Sequence, residues 1–471
     1  RIKFSDTAAA TGDGWISYYH SDRAFAFTTA GTGNERLRIR SDGRVQVKSG
    51  SAEVIAGEGA SAELRLTADE GDDGADYWKI QSNHSTNNLN IATYATGAYV
   101  DKFSMKTDGD IIATGNLKTN NLPGKNMVAN GDMRVAQRAT SASMSNAGND
   151  IPVCDRWNYN RNGVTSTVAQ VAEAPAGRGF KYSLKWTSTS AVGSIAAGNT
   201  VKFNYKIERQ DIQRLGYGSS NAKKATLSFW AKGSLAGKIG VSCTRNSRIT
   251  SHNVDMTANT WEFHEIVIPI DTSTALSGTD TDSGFDFGIC WGAGSNSTSG
   301  ATNGWIGFHN AYTAGFTAGQ QGAYLTTSGS TFQITGVQFE VGSVATPFEH
   351  RSYQDEFLRC CRYYYKLERR FTAAGRGAGN SAYLASISTP VPLRAQPTIG
   401  TGTNSSSEGF SIRVYKYDGI SDSSATPTVG TGGWAAGNNH ITIYQGSHSV
   451  VDDRVLNIYM GGGYIDFNSE L

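Results

Sequence analysis

Residues that could carry chemistry are sparse in this sequence, and none stands in a catalytic spacing. Asp69, Glu70, Asp72, Asp73 and Asp76 cluster in one turn, as a hard cation requires, yet the order lacks the EF-hand ligand pattern and its bidentate Glu. A solvated turn and no metal are expected there. His264-Glu265 has no second His four residues after the first, so the zinc-protease helix is missing. Asp280, Asp282 and Asp286 could be nominated as an acid pair for cutting polysaccharide, but an acidic surface loop is the ordinary reading. Nucleophile elbows, Walker loops and dinucleotide fingerprints are missing too, and Gly375 to Gly379 reads as a flexible turn. The five cysteines, Cys154, Cys243, Cys290, Cys360 and Cys361, are scattered and odd in number, which favours free thiols made in a reducing cytoplasm. The expectation is a protein that is not an enzyme and holds no cofactor.

Binding chemistry is better represented. Trp434, Asn438, Asn439 and His440 fall in a Gly- and Asn-rich stretch, where an aromatic ring can stack on sugar C–H faces while amides bond hydroxyls. Tyr415 and Tyr417, on the polar side of their strand, come next. A further aperiodic stretch from 305 to 324 holds Trp305, His309 and Tyr312, and long structured loops are often functional. Trp230 and Trp291 alternate with other apolar residues and are expected in the core.

The elements that must position these residues are strands. The chain has 471 residues, 38% hydrophobic and 18% charged, with 55 Gly; the charged fraction is below that of ordinary soluble domains. Turn chemistry recurs every few residues, as an all-β protein of short strands requires. Lys plus Arg total 42 and Asp plus Glu 41, so no net field draws the chain to nucleic acid or an anionic membrane. No apolar run approaches the roughly 18 residues of a membrane-spanning helix. Arg1 in place of Met suggests that the sequence has lost a segment before it.

The first part repeats itself. Leu37, Ile39, Val45 and Val47 alternate with polar residues around Asp42-Gly43, and Phe103 and Met105 do so before Asp108-Gly109, the pattern of hairpins with one buried face. Each unit carries too little apolar surface to offset the ordering of some 60 residues, about 1–2 kcal/mol each. Three copies wrapped about an axis would supply the missing partner, so residues 1–122 are expected to form a stalk; a monomeric pair of small sandwiches is the alternative, with Trp15 and Trp78 in the core either way. The domains expected are stalk repeats at 1–50 and 51–122, a sandwich at 123–352, a linking helix at 353–370 capped by Ser352, and a small β domain at 371–471.

The segment Asn126 to Arg138, followed by Asp155-Arg156-Trp157, resembles the opening of a jelly-roll module found in bacteriophage and prophage tail fibres. Leu227 to Lys232, Ile334 to Gly342, Ala345 to Glu349 and Leu358 to Tyr365 are similar to later signatures of that module in the same order, although Cys361 stands where the family usually has a polar residue. Pro392 to Thr398 and Glu470-Leu471 look like the end of the same family. The resemblance implies an all-β fibre: a repeated stalk, a carbohydrate-binding-like jelly roll, a short helix and a β tip, intertwined as a homotrimer. It implies a virion protein, made in the host cytoplasm, that attaches to a host cell-surface polysaccharide or lipopolysaccharide and joins other tail or baseplate proteins through the missing N-terminal part. A depolymerase tailspike and a purely structural segment with its receptor-binding tip on another chain are the alternatives.

Overall fold

The computed structural model describes all residues except 1, 5–13, 30–33, 49–50, 69–70, 72, 74–75, 96, 110, 115–123, 274–277, 298–303, 308–321, 369–371, 378–381, 403–410, 417–418, 424–427, 430–439, 447–454, 463 and 471. From 372 to 386 and from 411 to 462, where described, only the backbone is considered. The chain divides into two compact units, Arg1–Leu117 and Lys118–Leu471. Among the described residues all sheets are antiparallel and none closes into a barrel. No helix among the described residues is long and apolar enough to cross a membrane.

The first unit holds two five-stranded meanders in simple sequential order. The first comprises Ile2–Phe4, Gly14–Tyr19, Ala24–Thr29, Glu35–Ile39 and Val45–Val47. The second comprises Ala62–Thr67, Tyr77–Ser82, Leu89–Ala95, Ala98–Met105 and Ile111–Ala113. Register places most of the large apolar residues of each meander on one face, Trp15 being on the other. Ile16 lies opposite Phe27, Phe27 opposite Leu37, and Leu37 opposite Val47. In the second meander Leu64 meets Ile80, Leu66 meets Trp78, and Ile80 meets Ile91.

That face is the open one. Val45 is 62% exposed, Leu66 53% and Trp78 42% in the single chain, so Trp78 is not covered within it, whereas Trp15 is buried. The opposite face of the second meander is closed by polar groups: Glu63 Oε1 accepts from Lys79 Nζ and Gln81 Nε2, both at 2.8 Å, and Ser104 Oγ donates to Asn90 Oδ1 at 2.7 Å. These short strands satisfy their polar face internally and leave their apolar face uncovered.

The second unit is built on a face-to-face sandwich. One sheet has six strands in the order Ser141–Met144, Ser166–Val171, Ser183–Ser188, Thr331–Val341, Ala225–Gly233, Glu262–Ile268. The other has seven, including Asn158–Asn162, Thr200–Glu208, Ser283–Ala293, Gly237–Arg245 and Arg248–Met256. Alternation on the strands sends Phe203, Phe229, Phe285, Phe287, Trp291, Phe332 and Phe339 into one core with less than 2% exposure each. Trp291 stacks on Phe332 at 4.6 Å and Phe285 on Phe339 at 4.7 Å, pairs that tie one sheet to the other. Arg209–Ile212 forms a short helix, continued by a 3-10 turn to Leu215.

Ser352 caps the next helix by accepting from Asp355 N at 3.0 Å. This helix spans Tyr353–Cys361 and is shorter than the expected 353–370. The three successive tyrosines beyond it are better suited to a strand, and Tyr364–Leu367 pairs with Tyr464–Asn468 near the end of the chain. Thr398–Gly402 completes a three-stranded sheet over a small core of Ile387, Leu393, Ile465 and Phe467. Arg156 Nη1 holds Glu470 at 2.6 Å, Arg394 Nε donates to Ser469 O at 2.7 Å, and Arg362 makes a two-pronged pair with Glu208 at 2.7 and 2.8 Å. The remaining strands, among them Ser411–Lys416 and His440–Gly446, form a seven-stranded sheet. All five cysteines are buried and free.

Candidate functional site

Trp230 and Phe263 lie directly opposite one another on Ala225–Gly233 and Glu262–Ile268. Leu227, Phe229 and Ala231 point into the core, so the period of two turns Ser228, Trp230 and Lys232 outward. The Trp230 and Phe263 rings are 5.5 Å apart, and Phe263 keeps 45% of its surface exposed. Trp230 is therefore not a core residue, in contrast to Trp291. Two large aromatic rings side by side on an outer sheet face are costly to leave in water unless something covers them.

They form the floor of a groove of about 650 Å³ whose lining includes Arg178, Phe180, Ser228, Phe348 and His350. One wall comes from the segment before Ser183–Ser188. Its Arg178 guanidinium lies 5.1 Å from the centre of the Trp230 ring, a cation–π contact. The other wall is the segment after Thr331–Val341. Phe180 contacts Phe348 at 5.0 Å and His350 at 5.3 Å, which joins the walls behind the floor.

Polar contacts fix this second wall to the sheet. Thr346 N and Oγ1 donate to the two oxygens of Glu340 at 2.8 and 2.6 Å, and Glu349 N donates to Gln338 Oε1 at 2.9 Å. The Glu349 carboxylate accepts from Gly124 N at 2.6 Å, Asn126 N at 2.8 Å and Arg351 at 3.1 Å, and these donors hold its pKa below the usual carboxylate range against the cost of burial. Gly336 seats Phe180. It has φ +61°, at a register shift between Ala225–Gly233 and Thr331–Val341, and an added Cβ would lie 2.5 Å from the Phe180 ring.

Among the described residues no Asp, Glu or Cys lines the groove. Its charge-bearing residues are Arg178 and His350, and burial lowers the His350 pKa, with Arg134 acting the same way and Asp132 opposing. The imidazole is therefore neutral at pH 7. Such a groove can stack on the apolar face of a ring, donate hydrogen bonds from Arg178 and Ser228, and exchange them with a neutral His350. Outward positions on the seven-stranded sheet, such as Asn158, Asn160, Lys202 and Asn204, offer hydrogen bonds without an aromatic platform.

The residues nominated from sequence lie elsewhere. Trp434, Asn438, Asn439, Tyr417, His309 and Tyr312 fall outside the described residues. Tyr415 and His440 are placed by backbone alone, on Ser411–Lys416 and His440–Gly446. Trp305 is half-buried: its indole N–H donates to Pro269 O at 2.8 Å, and its ring meets Tyr217 and Phe285 edge-on, so it packs against the sandwich core. The acidic turn at 69–76 is described only in part, and no group of metal-ligating side chains occurs among the described residues. The signal for Trp230 was its parity: in Leu227 to Lys232 it falls on the face opposite Phe229.

No family model matches this chain, and no curated protein matches it. Among solved structures, the enzymatically active domain of tailspike protein 4 of bacteriophage CBA120 is similar at 13% identity and a TM-score of 0.25, over 46% of this chain. The chain spans about 21% of that domain's length. The family 11 carbohydrate-binding module of the cellulase Lic26A-Cel5E of Clostridium thermocellum is similar over 44% of this chain and all of its own, at 14% identity and a TM-score of 0.22. The xylan-binding domain of Paenibacillus barcinonensis Xyn10C matches 43% of this chain at 12% identity, also at 0.22. TM-scores this low assign no ligand to this chain.

Proposed function

We propose that this chain is a glycan-binding adhesion protein of a bacteriophage tail fibre, acting from the virion at the host cell surface, and that the Trp230–Phe263 groove holds the sugar. The observation that carries this reading is the pair of aromatic rings held open on the sheet face beneath an Arg and a neutral His. A pyranose presents C–H groups on its faces and hydroxyls at its rim, which matches a ring platform edged by donors and acceptors. The proposed activity is attachment without cleavage.

The uncovered apolar faces of the N-terminal meanders support a homotrimer. Contiguous apolar patches of more than a few hundred Å² are rare on monomers, and a threefold arrangement would cover such faces with those of identical copies. Three copies would also present three grooves, and linked sites gain avidity by 10²–10⁴ over a single one.

The test is adsorption of purified chain to host cells and their extracted polysaccharide. Trp230→Ala, checked for unchanged fold by circular dichroism, is expected to weaken binding at least tenfold. Equal adsorption by the folded variant excludes the groove, and released oligosaccharide on incubation with the polysaccharide contradicts a purely adhesive role.

A further inference from the structure

We propose that the groove selects an acidic saccharide, its anionic group bound by Arg178 while its ring lies on the Phe263 and Trp230 platform. This rests on the reading of the groove as a glycan site and names the class of sugar it takes.

Arg178 is exposed on the groove wall, held over the indole, and among the described residues no carboxylate pairs with it. The acids around the groove are paired elsewhere, Asp132 near His350 with Arg134. Glu173 holds Lys232 at 2.8 Å, Glu340 accepts from Thr346, Glu265 Oε1 accepts from Ala345 N at 2.7 Å, and Glu349 is occupied by Gly124, Asn126 and Arg351. The lining itself carries basic residues and no acid. A binding surface meant for a neutral sugar is expected to mix carboxylate acceptors with donors, since hydroxyls both give and accept. This one offers a guanidinium as its only full charge at pH 7, and a guanidinium is the side chain whose geometry fits a carboxylate or phosphate through two parallel bonds.

Position agrees with charge. Arg178 lies over Trp230, and Trp230 lies beside Phe263, whose ring remains open. A ring placed over Phe263 and the free part of the indole would lie beside the guanidinium. Stacking and ion pairing are thereby met by one sugar residue. The shared chemistry is a pyranose with an anionic substituent; a uronic or sialic carboxylate and a sugar phosphate both provide it.

The test uses the whole chain on an array of uronate-containing, sialylated and phosphorylated saccharides with their neutral counterparts, including carboxyl-reduced forms of the uronates. Acidic probes are expected to bind at least tenfold more tightly than their neutral counterparts, and to weaken as salt rises. Arg178→Ala should erase that preference, Arg178→Lys should keep part of it, and Trp230→Ala should lower binding of all probes. The carboxylate and phosphate arms show which anion is preferred. Equal binding of acidic and carboxyl-reduced probes, or an acid preference that survives Arg178→Ala, overturns the acidic-sugar assignment while leaving glycan binding intact. Saccharide binding that ignores Trp230→Ala, or no saccharide binding by the folded chain, overturns both readings.

Discussion

Gly336 shows how a single residue sets the groove. Its backbone lies in the left-handed region at φ +61°, and the Phe180 ring occupies the space a side chain would take. Gly336→Ala is expected to cost about 1–3 kcal/mol through backbone strain and the displaced ring. The displaced ring also carries the contacts to Phe348 and His350, so sugar affinity should fall together with the melting temperature. An unchanged affinity in calorimetry would show that the Phe180 wall is not part of the site. Trp230 was misread at this scale as a core residue, although counting parity from Phe229 places it outward. Arg178, Phe180, Phe348 and His350 were not legible, because they stand in irregular segments that converge only after sheet pairing brings residue 336 beside residue 230. No local period marks a contact between residues about 170 positions apart in sequence.

At the scale of elements, the junction of the sandwich with the closing strand carries a pH response. Asp155 is fully buried, bonded by Gln137 N at 3.1 Å and Gln137 Nε2 at 2.5 Å, with Arg138 Nη1 at 3.5 Å. Burial is the largest influence and raises its pKa to about 6; Arg138 and Gln137 oppose it, and Glu470 adds to it. The folded state thus keeps the Asp155 proton up to a higher pH than the unfolded chain, whose value is about 4. Sign follows from linkage: the buried carboxylate costs stability above pH 6, and that cost is relieved as pH falls from about 6 to about 4, by about 3 kcal/mol in all. Denaturant unfolding across pH 4–7 should show this slope in the parent and lose it in Asp155→Asn. A slope unchanged in the variant would assign the response to the other buried acids. Strands and their alternation were legible here, as Phe285, Phe287, Ile289 and Trp291 show. The end of the Tyr353–Cys361 helix was not, since the strand partner that claims Tyr364 lies about 100 residues further on.

For the whole molecule, the shortage of core in the N-terminal unit was visible as sparse apolar residues on short strands. The direction in which they face was not, because alternation alone does not say which face finds cover. Trp78 and Leu66 sit on the open face, and Lys79 and Gln81 on the closed one. If copies of the chain cover these faces, sedimentation should give a trimer. Leu66→Asp combined with Trp78→Asp should shift it to monomer without disturbing the sandwich, whose core lies in the other unit. A parent chain that sediments as a stable folded monomer would remove the fibre assembly from the account.

The most direct measurement is a structure of the chain soaked with an oligosaccharide from host polysaccharide. The account predicts a sugar ring seated on Phe263 and Trp230 with an anionic substituent at Arg178. Sugar bound to the Asn- and Lys-bearing face of the seven-stranded sheet or to the closing β domain, with the aromatic groove empty, would contradict it.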